Sequence, residues 1–267
     1  MSDALDAPLQ EFSSDLQHLG HLLELIKTLR EFGSTVPPDT APKEAFEENA
    51  QKLHSSIRSL SRDFPVLAGT LLLYLAGRFE NFVRNAFESV CDMYAAKCTT
   101  FDELPDKMKQ SLISFTAETL ASQKRYGFDH YTQVYSFIVN LSANIQAKAG
   151  LGPINSACLS VTDHNMNAKM LAELYQRVGI NALWEEIGKQ AKIKIHFETG
   201  RDADAATNAQ SVLNEIMNIR NQIAHPSTTP TFPDPDKVMR YAEFLRVLAE
   251  VLTEVCRVRL AEFKAGV

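Results

Sequence analysis

The sequence predicts an all-α protein, on three observations. Apolar residues recur at spacings of three and four through most of the chain, beginning with Leu16, Leu19, Leu22, Leu23, Ile26 and Leu29. Prolines fall where helices open, at Pro65, Pro105 and Pro235. The two-residue alternation of a strand occurs only at Lys192 to Phe197, as Lys-Ile-Lys-Ile-His-Phe.

The elements follow in order. The first apolar stripe makes an amphipathic helix, and the Gly-Ser and Pro-Pro punctuation from Gly33 to Pro42 reads as a loop. A more polar helix is expected over about Lys43 to Ser61. Pro65 then starts the most apolar long segment, to about Lys97, with Leu67, Leu71, Leu75, Phe79, Phe82, Val83 and Phe87 covering much of its circumference; it is expected to be the central core helix. Packing helices are expected from Pro105 to Gln123 and from Asp129 to Ala149, the latter with Val134, Phe137, Ile138 and Leu141. Gly150 to Asn165 reads as loop, followed by short helices over Lys169 to Val178 and Ala182 to Gln190. Lys192 to Phe197 is expected to be an ordered loop or one short strand. From Ala205 a helix with Val212, Ile216, Ile219 and Ile223 on one stripe runs toward Pro226, which disfavours helical geometry in the residue before it, so His225 lies at or next to a helix end. Asp234 can cap and Pro235 can start a last helix to about Phe263, with Val238, Leu245, Leu248, Val251, Leu252 and Val255 inward. There is no internal repeat and no low-complexity tract.

The chain's 267 residues can bury a sizeable core, and one large domain is favoured over two small ones. Its 45% hydrophobic and 22% charged composition is that of a globular protein. Met1 to Gln10 carries Asp3 and Asp6 in place of a basic start and an apolar signal core, and no apolar run approaches a membrane span, so a cytoplasmic protein without a membrane partner is expected. Cys91, Cys98, Cys158 and Cys256 are scattered without a Cys-x-x-Cys pair, which favours reduced, buried thiols over a zinc site or a disulfide framework. A net charge of −6 argues against an extended nucleic-acid surface, although a few arginines in one cleft can still create a local positive potential.

The sharpest feature is Ile219-Arg220-Asn221-Gln222-Ile223-Ala224-His225-Pro226, which puts a permanent cation and an imidazole at the end of an apolar-striped helix. Asn221 and His225, four apart, share a helix face. Arg220 is rotated from His225 by about 140° at ~3.6 residues per turn, so the two converge only if the helix ends there or the long side chain reaches round. Such a set suits metal-free RNA cleavage. Imidazole, with an ordinary pKa of ~6.5, moves protons near neutrality, the guanidinium fork takes phosphate oxygens, and Asn221 can orient the ring or hold substrate. The plainer alternative has Arg220 in a structural ion pair and His225 closing a helix.

The Arg-Asn-x-x-x-His-Pro motif, together with Leu73-Tyr74-Leu75-Ala76-Gly77-Arg78-Phe79-Glu80-Asn81-Phe82-Val83-Arg84 and Leu171-Ala172-Glu173-Leu174-Tyr175-Gln176-Arg177-Val178-Gly179-Ile180, resembles the HEPN superfamily, in particular its RiboL-PSP-like branch. The resemblance covers roughly Pro65 to Ala261. It implies a HEPN-type helical bundle over residues 65–267 with an N-terminal helical extension, 1–64, packed on it. It also implies dimerisation that joins two motifs in one cleft, and metal-independent endoribonuclease activity in toxin–antitoxin, antiphage or RNA-processing settings. Arg220 and His225 are then catalytic and Asn221 supporting. Glu80 matches an acidic position on the core helix, or else pairs with Arg78 or Arg84. Arg78 and Arg84 are candidate substrate-binding residues. No metal and no cofactor is expected; the partners expected are RNA, a second copy of the chain and an antitoxin or defence-system protein. A non-catalytic helical interaction module is the alternative.

Other candidates are weaker. His18 and His21 could hold a metal but read better as a solvated face. Tyr126, Phe128, Tyr131, Tyr135 and Phe137 could stack bases but are more often core at such spacings. No Gly-rich phosphate loop, His-Glu-x-x-His or Gly-x-Ser-x-Gly occurs.

Overall fold

Apolar spacing of three and four residues becomes helix in a computed structural model that describes residues 4–37, 44–60, 63–128, 131–225 and 231–265. Among the described residues there are eleven α-helices and no strand. They are α1 (Asp6–Ser34), α2 (Ala45–Leu60), α3 (Phe64–Ala96), α4 (Asp106–Ala121), α5 (Tyr131–Gln146), α6 (Ser156–Leu159), α7 (Ala168–Gln176), α8 (Leu183–Lys189), α9 (Ala191–His196), α10 (Asp202–Ala224) and α11 (Pro235–Glu262). Short 3-10 turns occupy Phe101–Glu103 and Gln123–Tyr126.

The chain divides into two compact units, one of residues 13–78 and 215–246 and the other of 1–12, 79–214 and 247–267. In the first, Ile26, Ile57 and Phe64 are buried together, with Leu29, Phe32 and Leu71 packed around them. Gly33 permits α2 to approach α1, because a Cβ there would lie 2.5 Å from Ile57 Cγ2. Ion pairs fasten the start of α11 to α1: Arg30 to Asp234 at 2.8 Å and Lys27 to Asp236 at 3.2 Å. Asp234 also caps α11, its Oδ1 accepting the Asp236 N–H at 3.0 Å. Lys237 pairs with Glu215 of α10 at 2.8 Å.

The second unit has an aromatic centre, with Phe12 stacked on Phe82 at 5.4 Å and Phe87 edge-on to Tyr175 at 5.4 Å. α11 contributes Leu248, Val251, Leu252 and Val255, all buried as expected. Buried Asn155 ties three elements, donating to Phe137 O at 2.8 Å and to Thr116 Oγ1 at 3.2 Å. Arg177 donates to the Leu159 and Val161 carbonyls and stacks on Phe115 at 3.8 Å. Burial lowers the pKa of its guanidinium. All four cysteines are free and buried. Burial pushes the Cys158 thiol up to about 11 and that of Cys256 to about 12, which keeps both unreactive near neutrality.

Three stretches depart from the sequence expectation. Lys192 to Phe197 is mostly helix α9, neither strand nor loop. A strand would put Ile193 and Ile195 on one face, but a helix turns Ile195 outward, leaving Ile193 fully buried and Ile195 75% exposed. Lys194 and Lys192 are then met by Asp202 and Glu250. The loop Gly150 to Asn165 contains the single turn α6. On α10 the buried stripe is Ala205, Ala209, Leu213, Ile216 and Met217, with Val212, Ile219 and Ile223 only half-buried. α3 is long and apolar enough to cross a membrane by length and composition, yet 44% of its most apolar window is buried inside the protein. Leu75, Phe79, Phe82, Val83 and Phe87 lie in the core, while Leu67 is exposed.

The charged clamp at the start of α11 predicts acid sensitivity. The Asp236 N–H first, and Arg30 next, hold the Asp234 carboxyl below its ordinary pKa, and Lys237 does the same for Glu215. A depressed folded-state pKa gives stability that is complete above the unfolded value, about 3.9 for Asp, and is lost as pH falls through the folded value. The melting temperature should therefore drop below about pH 4. Asp234→Asn, which keeps the capping oxygen and removes the charge, should make that drop shallower in a thermal melt series from pH 7 to 3; an unchanged acid branch would exclude Asp234 as its source.

Candidate active site

The last turn of α10 is anchored by one residue and leaves its polar neighbours outside. Ile223, seven positions beyond buried Ile216, stays on the inner side, whereas Asn221 and His225 are exposed and Arg220 is half-buried. The anchor meets α3 at Gly69. A Cβ on Gly69 would lie 3.3 Å from Ile223 Cδ1 and 2.4 Å from Phe232 Cδ1, so only the bare backbone accepts both side chains. A glycine inside an apolar helix costs roughly 1 kcal/mol of helix propensity relative to alanine, and that cost was the one sequence signal of a close contact here.

The helix ends at Ala224, and the His225 N–H still donates to Asn221 O at 2.9 Å. Pro226 lies outside the described residues. Arg220 Nη1 donates to Asn221 Oδ1 at 3.2 Å. Asn221 is about 40° from His225 around the helix, so that hydrogen bond turns the guanidinium toward their common face. Among the described residues Arg220 makes no ion pair, and the His225 ring has no hydrogen-bonding partner.

The other sequence-derived candidates have their own partners. Arg78 Nε donates to Asp15, which also accepts the Tyr74 hydroxyl at 2.9 Å; this ion pair fastens α3 to α1. Glu80 accepts the Met166 N–H at 3.2 Å, so its carboxylate holds the chain ahead of α7 and the arginine pairing considered for it is not formed. Arg84 is exposed and has no partner among the described residues. It lines a polar cleft with Arg125 and Tyr126 of the second 3-10 turn and with Ser160 and Thr162 after α6. Nothing in the local sequence signalled Arg125 or Ser160. Of the aromatic group, Phe137 is buried against Phe128, Tyr135 is 59% exposed, and the Tyr131 side chain lies outside the described residues. His18 and His21 are exposed, and no described group of three or more His, Cys, Asp or Glu gathers as for a metal.

An all-helical chain with an Arg-Asn-x-x-x-His turn at an exposed helix end is the class these features define. The chain belongs to the RiboL-PSP-HEPN family, whose model matches residues 43–257, about four fifths of its length. The matched stretch therefore takes in α2 as well as the later helices. Comparisons with curated proteins and with solved structures each returned no match.

Gly69→Ala tests the seat of the motif turn. Alanine recovers roughly 1 kcal/mol of helix propensity, but a methyl forced against the Phe232 ring costs about 1–3 kcal/mol. A net loss of thermal stability is expected in differential scanning calorimetry; a raised melting temperature would show that Phe232 moves aside freely and that Gly69 seats nothing.

Proposed function

We propose that this chain is a metal-independent endoribonuclease acting through Arg220 and His225. The observation that carries the reading is the state of those two side chains. Arg220 is held by a neutral amide, and among the described residues no carboxylate cancels its charge and the exposed His225 ring is unengaged. A structural ion pair would have consumed the charge. Membership in the RiboL-PSP-HEPN family supports the same reading.

The chemistry follows from the groups. The ribose 2′-hydroxyl loses its proton to a base and attacks the adjacent phosphorus, and the bond to the 5′-oxygen breaks as that oxygen takes a proton. A 2′,3′-cyclic phosphate and a 5′-hydroxyl result. An imidazole can serve either proton transfer, worth about 10²–10⁴-fold in rate, and the guanidinium fork meets the charge gathering on the phosphate oxygens. Asn221 orients Arg220. One imidazole handles one proton transfer at a time, so base and acid come from two copies related by a two-fold axis, with RNA bound across both. The setting is that of a cytoplasmic toxin or antiphage effector, held by an antitoxin or defence-system partner.

A second reading, a non-catalytic interaction module, is favoured by the net charge of −6 and by α5, which contains no charged residue yet exposes Tyr135, Ile138, Val139 and Ile145. Cleavage assays separate the two. In excess EDTA, RNA should be cut to cyclic-phosphate ends and an all-deoxy strand should remain intact. His225→Ala should lower the rate by at least about 10²-fold with circular dichroism and melting temperature unchanged, and Arg220→Lys, a point charge without the fork, should not restore wild-type turnover. Loss of activity on chelation, or wild-type rates for His225→Ala, would overturn the mechanism. Static light scattering at micromolar concentration should give a mass near twice 29.8 kDa, and efficient cutting by a monomer would rule out the two-copy site.

A further inference from the structure

The cleft that contains Arg84 has a chemistry of its own. Its volume of about 350 Å³ lies at the small end of ligand sites and suits one nucleotide-sized group. Arg30, Arg246, Arg257 and Arg259 are each met by a carboxylate, whereas no carboxylate of the described residues meets Arg84. An exposed guanidinium open to a polar cleft can present its planar fork to phosphate oxygens. Arg125 joins it across the cleft. One edge of that guanidinium is held by Asp163 at 2.7 Å and its plane lies over the Tyr126 ring at 5.6 Å, which leaves further N–H groups to donate.

The rest of the lining is neither basic nor apolar throughout. Tyr126 is fixed by its hydroxyl, which donates to Glu118 at 2.6 Å, so its ring is a pre-set platform for a base. Phe128 is braced edge-on against buried Phe137 at 5.1 Å. Glu88 accepts the hydroxyl of buried Ser160 and, as an acceptor, repels phosphate but suits ribose hydroxyls or base N–H donors. Gly127, with φ of 75° and open space where a Cβ would stand, turns the chain between the two aromatics. Cation, aromatic platform and a carboxylate acceptor are the complement of a nucleotide. A bare anion would use only the arginines, and a metal would find Arg84 beside Glu88.

We propose that the cleft lined by Arg84, Glu88, Arg125, Tyr126, Phe128 and Ser160 binds one nucleotide, with its phosphate on the two arginines and its base on the aromatic rings. The nucleotide is taken to be a unit of an RNA strand, and in that respect the inference rests on the ribonuclease reading. Binding at this cleft requires neither Arg220 nor His225.

Isothermal titration of the full chain tests it, with each of the four ribonucleoside 5′-monophosphates, the four nucleosides and inorganic phosphate as titrants. At least one mononucleotide should bind with a Kd below a millimolar, and its nucleoside and phosphate should each bind at least tenfold more weakly. Arg84→Ala should weaken the mononucleotide at least tenfold without changing the melting temperature, Arg84→Lys should recover part of the loss, and His225→Ala should bind as the wild type does. No mononucleotide binding up to several millimolar, phosphate as tight as the nucleotide, or an Arg84→Ala chain that binds normally would each overturn the proposal. Binding at the cleft by a chain that cuts no RNA would sink the ribonuclease reading and leave this one standing; RNA cutting without cleft binding would do the reverse.

Discussion

Ile223 and Phe232 seat against the bare backbone of Gly69, and the orientation of the motif turn depends on that contact. A helix end is the part of a helix most free to fray, because its last carbonyls lack intrahelical partners. Here the final turn of α10 is pinned on its inner side by one aliphatic side chain. Asn221 and His225 therefore face outward, and Arg220 donates to the Asn221 amide beside it. The polar residues are placed by an apolar one.

Several ion pairs among the described residues hold helices to one another. Arg30, Lys27, Asp234 and Asp236 tie α11 to α1, Arg78 and Asp15 tie α3 to α1, and Lys237 with Glu215 ties α11 to α10. Exposed pairs of this kind contribute little energy singly, on the order of 0–1 kcal/mol, but they fix which way a helix end points. The same pairing shows which cations remain available. Against a net charge of −6, Arg220 and Arg84 are cations that no carboxylate neutralises among the described residues, and an acidic protein that engages a polyanion must do so at such points.

The long helices were legible because their signal is long. α1, α3 and α11 each repeat the apolar spacing over many turns, and Asp234-Pro235 marks the start of α11 by capping chemistry that acts locally. Short segments were not. Lys192 to Phe197 alternates as a strand would, and the alternation of two isoleucines says nothing about which of them the core will take. Only the packing chose Ile193. On α10 the expected stripe met the buried face at Ile216 but left out Ala205, Ala209, Leu213 and Met217, and the two alanines carry too little apolar bulk to announce a buried face.

By itself the sequence determined the all-α class, the order of the main helices, the position of the Arg-Asn-x-x-x-His turn at a helix end and the resemblance that the family match bears out. Those follow from periodicity, capping and local spacing, which act over a few residues. Tertiary structure decided what depends on partners far along the chain. It took Arg78 for Asp15 and Glu80 for the Met166 N–H, left Arg84 and Arg220 without a carboxylate among the described residues, and set Gly69 beneath Ile223 and Phe232. A side chain's charge is written in the sequence, but whether that charge is cancelled depends on what the fold brings beside it.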